Sequence, residues 1–159
     1  MGGYGSGRWG FHVRKSTVEE CLTLDLATLG RAGFLYCFPG KRVRGTLRWI
    51  NVETKEEAAS VNCILDTTSG VPVLTLAYRV RGENINLPIH TEVTRSYRDR
   101  VRRWGICPDC GRRVRKLHLP PGGRRFSCRT CLGLSYTSVQ HAHELDGLPR
   151  FIARVMGLP

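Results

Sequence analysis

No apolar run in the 159-residue sequence approaches the ~18 residues that a membrane-spanning helix needs. The opening MGGYGSGRWG lacks the apolar stretch of a secretory signal. The expectation is a cytoplasmic protein with no membrane association. Acidic residues are scarce, with 13 Asp and Glu against 25 Lys and Arg, a formal net charge of +12. Also lacking are a phosphate-cradling glycine loop, a clustered set of carboxylates and a nucleophile paired with a base. His90 and Glu92 would share a strand face, but nothing completes an acid/base set around them, so no enzyme is expected. No internal repeat is visible. Global disorder is excluded by a hydrophobic fraction of 41%, which allows a sizeable core.

A cytoplasmic setting keeps thiols reduced, and this decides how the seven cysteines are read. Cys107, Cys110, Cys128 and Cys131 have the spacing C-x2-C, 17 residues, C-x2-C. Two residues between cysteines let both sulfurs of a tight turn converge on one ion, and two such knuckles make a tetrahedron of thiolates. The sequence therefore predicts one structural Zn2+. Four thiolates close the coordination sphere and leave no position for water or substrate. Rubredoxin-type iron is the chemical alternative, disfavoured by a short hairpin with many arginines and little apolar shielding. Gly111 and Gly133 permit the knuckles to close with amides aimed at the sulfurs. Cys21, Cys37 and Cys63 stand singly among apolar residues and read as small buried hydrophobes. His141 and His143 have no further ligand nearby.

The expected fold is mainly β: a small antiparallel sheet domain with one short helix, a C-terminal four-cysteine zinc ribbon and a short terminal helix. The organisation reads as a flexible glycine-rich arm over 1–16, a β-rich domain over 17–103, the ribbon over 104–138 and a tail over 139–159. Alternation from Cys21 to Leu26 predicts a short strand. A helix follows to Ala32, capped by Asp25 and ended by Gly33, with Leu26, Leu29 and Phe34 facing the core. Strands are expected over Gly45–Asn51, Ala58–Leu65, Val71–Val80 and Asn84–Val93, with turns at 66–70 and 81–83. Within the ribbon, Val114–Leu119 and Arg125–Ser127 read as strands joined by the turn from Pro120 to Gly123. In the tail, Asp146, Pro149 and Gly157 bracket a helix with an apolar stripe from Leu148 to Met156.

Charge is concentrated. Residues 95–129 hold 12 Lys and Arg against 2 Asp and Glu, a net of +10, whereas residues 1–94 have 11 against 9. Such a block attracts polyanions, chiefly nucleic acid. The residues assigned to phosphate contact are Arg95, Arg98, Arg102, Arg103, Arg112, Arg113, Arg115, Lys116, Arg124, Arg125 and Arg129, since the guanidinium fork suits phosphate. Trp104, Phe126 and Tyr136 are placed either to stack on bases or to cover the metal. The arm, with Tyr4, Arg8, Trp9 and Phe11, either contacts nucleic acid or folds back on the core. Two functions follow. One is binding of DNA or RNA. The other is a protein-interaction factor, such as a phage-type inhibitor or adaptor docked on a host nucleic-acid machine or defence complex. Nothing specifies an oligomeric state.

The opening MGGYGSGRWG, the stretch TVEECLTLDLATLGRAGFL and the closing CPDCG…FSCRTCLGLSY together resemble a family of uncharacterised bacterial and phage proteins. These have a glycine-rich MGGxGSGRW start and a CPxCG…CRxCxxLxY zinc ribbon. The resemblance implies the same four cysteine ligands and matches Tyr136 to the tyrosine after the last knuckle. It implies an architecture and an occurrence in phage or mobile elements, without a mechanism. The tail LPRFIARVMGLP departs from relatives that continue into a long basic helix.

Overall fold

The computed structural model describes residues 15–35, 39–51, 53–95, 97 and 101–141. Residues 1–14 of the expected 1–16 arm, Cys37, Arg98, His143 and the expected helix over 148–156 lie outside them.

The alternating strands form one antiparallel meander of six: β2 (Arg42–Ile50), β3 (Glu57–Asp66), β4 (Val73–Val80), β5 (Glu83–Arg95), β6 (Val101–Ile106) and β7 (Arg113–Val114), in that order. Period-two patterning sends Val61, Cys63 and Leu65 of β3, Leu74 and Leu76 of β4, and Leu87 and Ile89 of β5 to one face. Across that face lies a two-stranded piece, β1 (Leu22–Asp25) paired with β8 (Lys116–Leu119). Leu24, Leu117 and Leu119 of this piece enter the same hydrophobic cluster. The Trp49 indole N–H donates to the Thr23 carbonyl at 3.0 Å and ties β2 to β1. Each fully buried aliphatic side chain contributes about 1.5–3 kcal/mol, so this shared layer is the main source of stability.

Helix α1 (Leu26–Arg31) follows β1 directly. Asp25 Oδ1 accepts from the amides of Ala27 at 2.8 Å and Thr28 at 3.4 Å, which starts the helix. Gly33 at φ +80° ends it. Leu26 and Leu29 are buried and Phe34 is packed against the core. The start of α1 lies close on β6 because Gly105 stands there: a Cβ at that position would lie 3.3 Å from Ile89 and 3.5 Å from Leu26.

The expected strand Val114–Leu119 is broken. It bends at Arg115, whose carbonyl accepts the Leu26 amide at 3.0 Å. Before the bend, Val114 pairs with Gly105 of β6; after it, Lys116–Leu119 pairs with β1. The two halves serve different sheets, so a continuous strand with Arg113 and Arg115 on one face does not form. The second ribbon strand contracts to one bridge, Ser127 with His118, joined by hydrogen bonds of 2.8 and 3.0 Å. The turn after β4 is two residues, Arg81 and Gly82, both at positive φ, and Glu83 already belongs to β5. A five-residue helix α2 (Thr137–His141) was not foreseen. Glu19 accepts from both the amide and the hydroxyl of Thr137 at 3.1 Å. No described helix is long and apolar enough to cross a membrane.

Phe126 joins the cysteine module to the sheet. It is fully buried, with its ring 6.1 Å from Trp49 and edge-on to Tyr78 at 5.6 Å. Phe126→Ala is expected to lower stability by about 3–5 kcal/mol in urea denaturation. Val139→Ala, at an exposed site, is expected to stay within ~0.5 kcal/mol of the parent. A Phe126→Ala loss below ~1 kcal/mol would contradict this packing.

Candidate metal centre

The first knuckle follows β6 and the second follows Ser127, so both are anchored by strand pairing before their cysteines begin. In the first, Gly111 at φ +67° lets its amide reach the Cys107 carbonyl at 2.9 Å, while the Cys107 amide donates to the Arg112 carbonyl at 2.9 Å. In the second, the Leu132 amide donates to the Cys128 carbonyl at 3.1 Å and Gly133 sits at φ +61°. The glycine amides thus close the loops through carbonyls rather than pointing at sulfurs. The amides that do reach sulfur belong to Cys128, toward Cys107 Sγ at 3.4 Å, and Cys131, toward Cys128 Sγ at 3.5 Å.

The four Sγ atoms of Cys107, Cys110, Cys128 and Cys131 lie within 4.8 Å of one another, an arrangement that could hold a metal ion. A tetrahedron with Zn–S bonds of ~2.3 Å has edges of ~3.8 Å. The Cys110 and Cys128 sulfurs stand 3.8 Å apart. The donor set therefore fits a soft four-coordinate ion such as Zn2+. Cys107 and Cys128 are 1% and 4% exposed and belong to the protein core, whereas Cys110 and Cys131 face solvent. The apolar shielding is thus greater than the hairpin alone implied, because it comes from the β sheet through Phe126 and Leu117.

Arg112 donates to Cys110 Sγ at 3.3 Å and is the main reason that the Cys110 thiol is drawn down to about 6. A thiolate at neutral pH is a ready ligand. Hydrogen bonding to Cys110, then to Cys128, pushes Cys131 up to about 12. A bound dication displaces such protons, so metal affinity rises with pH. Asp109, inside the first knuckle, accepts from the Ser127 hydroxyl and pairs with Arg125, which ties the two halves of the module together. Sequence reading passed over Asp109, although its place between two ligands marks it. It also passed over His118, which is 3% exposed and shares a 2.9 Å hydrogen bond with Thr23 Oγ1. Burial, reinforced by Lys116 and Arg129, lowers the His118 pKa and keeps the ring neutral at pH 7.

The basic side chains divide into groups. Arg113 pairs with Glu92, Arg115 with Asp25, Arg124 with Glu83 and Arg125 with Asp109. Burial raises the Asp25 pKa, but the Arg115 bonds and the Ala27 and Thr28 amides outweigh it and the net shift is downward. Arg112, Lys116 and Arg129 have no carboxylate partner among the described residues; Arg129 lies over the Tyr136 ring at 5.2 Å. Together with Arg113 and Arg115 they wall a groove of about 390 Å³ beside the cysteines. Arg102 and Arg103 open instead on a second cleft between α1 and β6. Arg124 and Arg125 lie apart, next to Ile85 and Leu87 of β5, and Arg95 is exposed at the end of β5. Of the remaining single cysteines, Cys63 is buried and Cys21 donates to the Thr17 carbonyl at 3.2 Å.

Purified protein is expected to contain about one zinc equivalent by elemental analysis. Cys128→Ser with Cys131→Ser should lose it, whereas Cys21→Ser and Cys63→Ala should retain it. Full metal content after loss of both second-knuckle cysteines would contradict the site. In comparisons of sequence and fold, no family model, no curated protein and no solved structure matches this chain.

Proposed function

We propose that the protein binds nucleic acid, DNA or RNA, through the groove beside a structural zinc site. The observation that supports this most is the make-up of the groove. Five cationic side chains and the exposed Tyr136 line it, and no carboxylate does. Lys116 and Arg129 are the strongest phosphate ligands in this reading, because neither is neutralised by a carboxylate among the described residues. Arg112 has a different part. A four-thiolate zinc site carries two negative charges, and Arg112 on Cys110 offsets them on the side that faces an incoming phosphate. Arg113 and Arg115 sit in exposed ion pairs, which are worth only ~0–1 kcal/mol and can be exchanged for phosphate.

The reading is of binding without turnover. Four thiolates leave the ion no open position. Glu92, two residues from His90 on the same strand face, is engaged by Arg113. The zinc would supply folding energy to the knuckles and hold the groove walls at fixed spacing.

The test is the salt dependence of binding. Lys116→Ala with Arg129→Ala should weaken binding and flatten the plot of log K against log salt by about 0.7–0.9 per lost phosphate contact, with zinc content unchanged. Arg42→Ala with Arg48→Ala, on the opposite edge of the sheet, should change little. Equal losses from both pairs would reduce the charge block to a solvated surface. Absence of nucleic-acid binding at low salt, with a defined protein complex of shallow salt slope, would favour the protein-interaction function instead.

A further inference from the structure

A buried histidine lines the ribbon groove. Lys116 and His118 both border it, whereas Leu117 and Leu119 of the same strand enter the core, as period-two alternation requires. Only 3% of His118 is exposed. Its Nδ1 shares a 2.9 Å hydrogen bond with Thr23 Oγ1, directly across from it on β1. The other flank of β8 carries the bridge from His118 to Ser127, which leads into Cys128 and Arg129 of the groove wall. The ring edge opposite Nδ1, which includes Nε2, therefore faces the second knuckle. Nε2 has no hydrogen bond to a described residue, and it is not sealed from solvent. We infer that the groove contains one discrete phosphate subsite, in which His118 donates its Nε2–H to an oxygen of a single backbone phosphate held by the charges of Lys116 and Arg129. The inference rests on the binding function proposed above and names the residue that fixes one phosphate in it.

Three observations support it. The first is the state of Nε2. A polar atom on a ring this deeply buried, with no bond inside the protein, is satisfied by a ligand or by water, and the groove is where His118 opens. The second is charge. After burial, Lys116 and Arg129 are the causes of the lowered His118 pKa, so both cations act on this ring. A phosphate among them meets two positive charges and a directional donor at once. The third is the proton. The neutral ring carries one, and a hydroxyl can donate to a bare Nδ1 as well as accept from a protonated one. Thr23 therefore keeps its bond while the proton sits on Nε2, the form that an oxygen anion in the groove favours. Asp25, opposite Lys116 on β1, is already engaged by Arg115 and by the amides of Ala27 and Thr28.

The experiment uses the full-length, zinc-loaded protein at pH 8, where the ring of the free protein is neutral. The probes are an oligothymidylate and inorganic phosphate. Long-range 1H–15N NMR reports which nitrogen of His118 carries the proton. Bound oligothymidylate should shift the Nε2 signal and leave the proton on that nitrogen. Inorganic phosphate at the same phosphate concentration should not, because it gains nothing from the rest of the groove. In fluorescence anisotropy, His118→Leu should weaken oligothymidylate binding roughly tenfold with an unchanged slope of log K against log salt, since a neutral donor releases no counterion. His118→Gln, which keeps an N–H donor, should bind within about twofold of the parent. The parent spectrum and His118→Gln carry the test if the leucine variant fails to fold. An Nε2 signal unmoved by bound oligothymidylate, a leucine variant as tight as the parent, a glutamine variant as weak as the leucine one, or a loss accompanied by a flatter salt slope would overturn the subsite and leave the proposed groove standing. Inorganic phosphate as effective as the oligothymidylate would give the subsite to free phosphate and overturn the nucleic-acid reading. Binding of neither probe at low salt would overturn both.

Discussion

Two of the four cysteine sulfurs must be in the hydrophobic core for the rest of this structure to close. Cys107 and Cys128 are buried with Phe126 and Leu117, and these touch the same cluster as Leu65, Leu74 and Leu76 of the main sheet. A ribbon of this size has too little apolar surface to fold alone. Here it uses the sheet as its core. The sheet in turn is covered on one face by β1 and β8, and β8 is part of the ribbon hairpin. Cysteine cluster, ribbon and sheet are therefore layers of one packed unit, although the cysteines and the long strands occupy different stretches of sequence.

This arrangement shapes the electrostatics. Packing the ribbon on the sheet brings Arg113 to Glu92, Arg115 to Asp25 and Arg124 to Glu83, each pair joining residues far apart in sequence. Arg81 reaches across in the same way, donating to the Gly122 carbonyl at 3.1 Å in the ribbon turn. Part of the cationic block thus fastens the layers together. Of the remainder, Lys116, Arg129 and Arg102 have no carboxylate partner among the described residues. Net charge along the chain counts both groups alike and so overstates the unpaired cationic surface.

Features set by short-range chemistry were legible in the sequence. The two knuckles bring their sulfurs together through turns of four residues. Asp25 caps the helix that its own position announces, and the strands from β2 to β5 follow their alternation. Partner choice was not legible where it depends on contacts between distant residues. Nothing local says that β8 pairs with β1, some 95 residues away, as in the bond between His118 and Thr23. Nothing local shows that the chain must bend at Arg115 to serve two sheets. Phe126 illustrates the ambiguity of a single aromatic: its neighbours suit base stacking equally well, and only the tertiary packing on Trp49 and Tyr78 makes it a core residue.

The claim that the cysteine cluster and the sheet are one cooperative unit is tested most directly by amide hydrogen exchange before and after zinc chelation. The account predicts that protection at Leu74 and Leu76, in the centre of the sheet, collapses together with protection at Leu117 in the ribbon, in a single step. Sheet amides that keep their protection after chelation, while only residues 107–133 open, would show two independent units and contradict it.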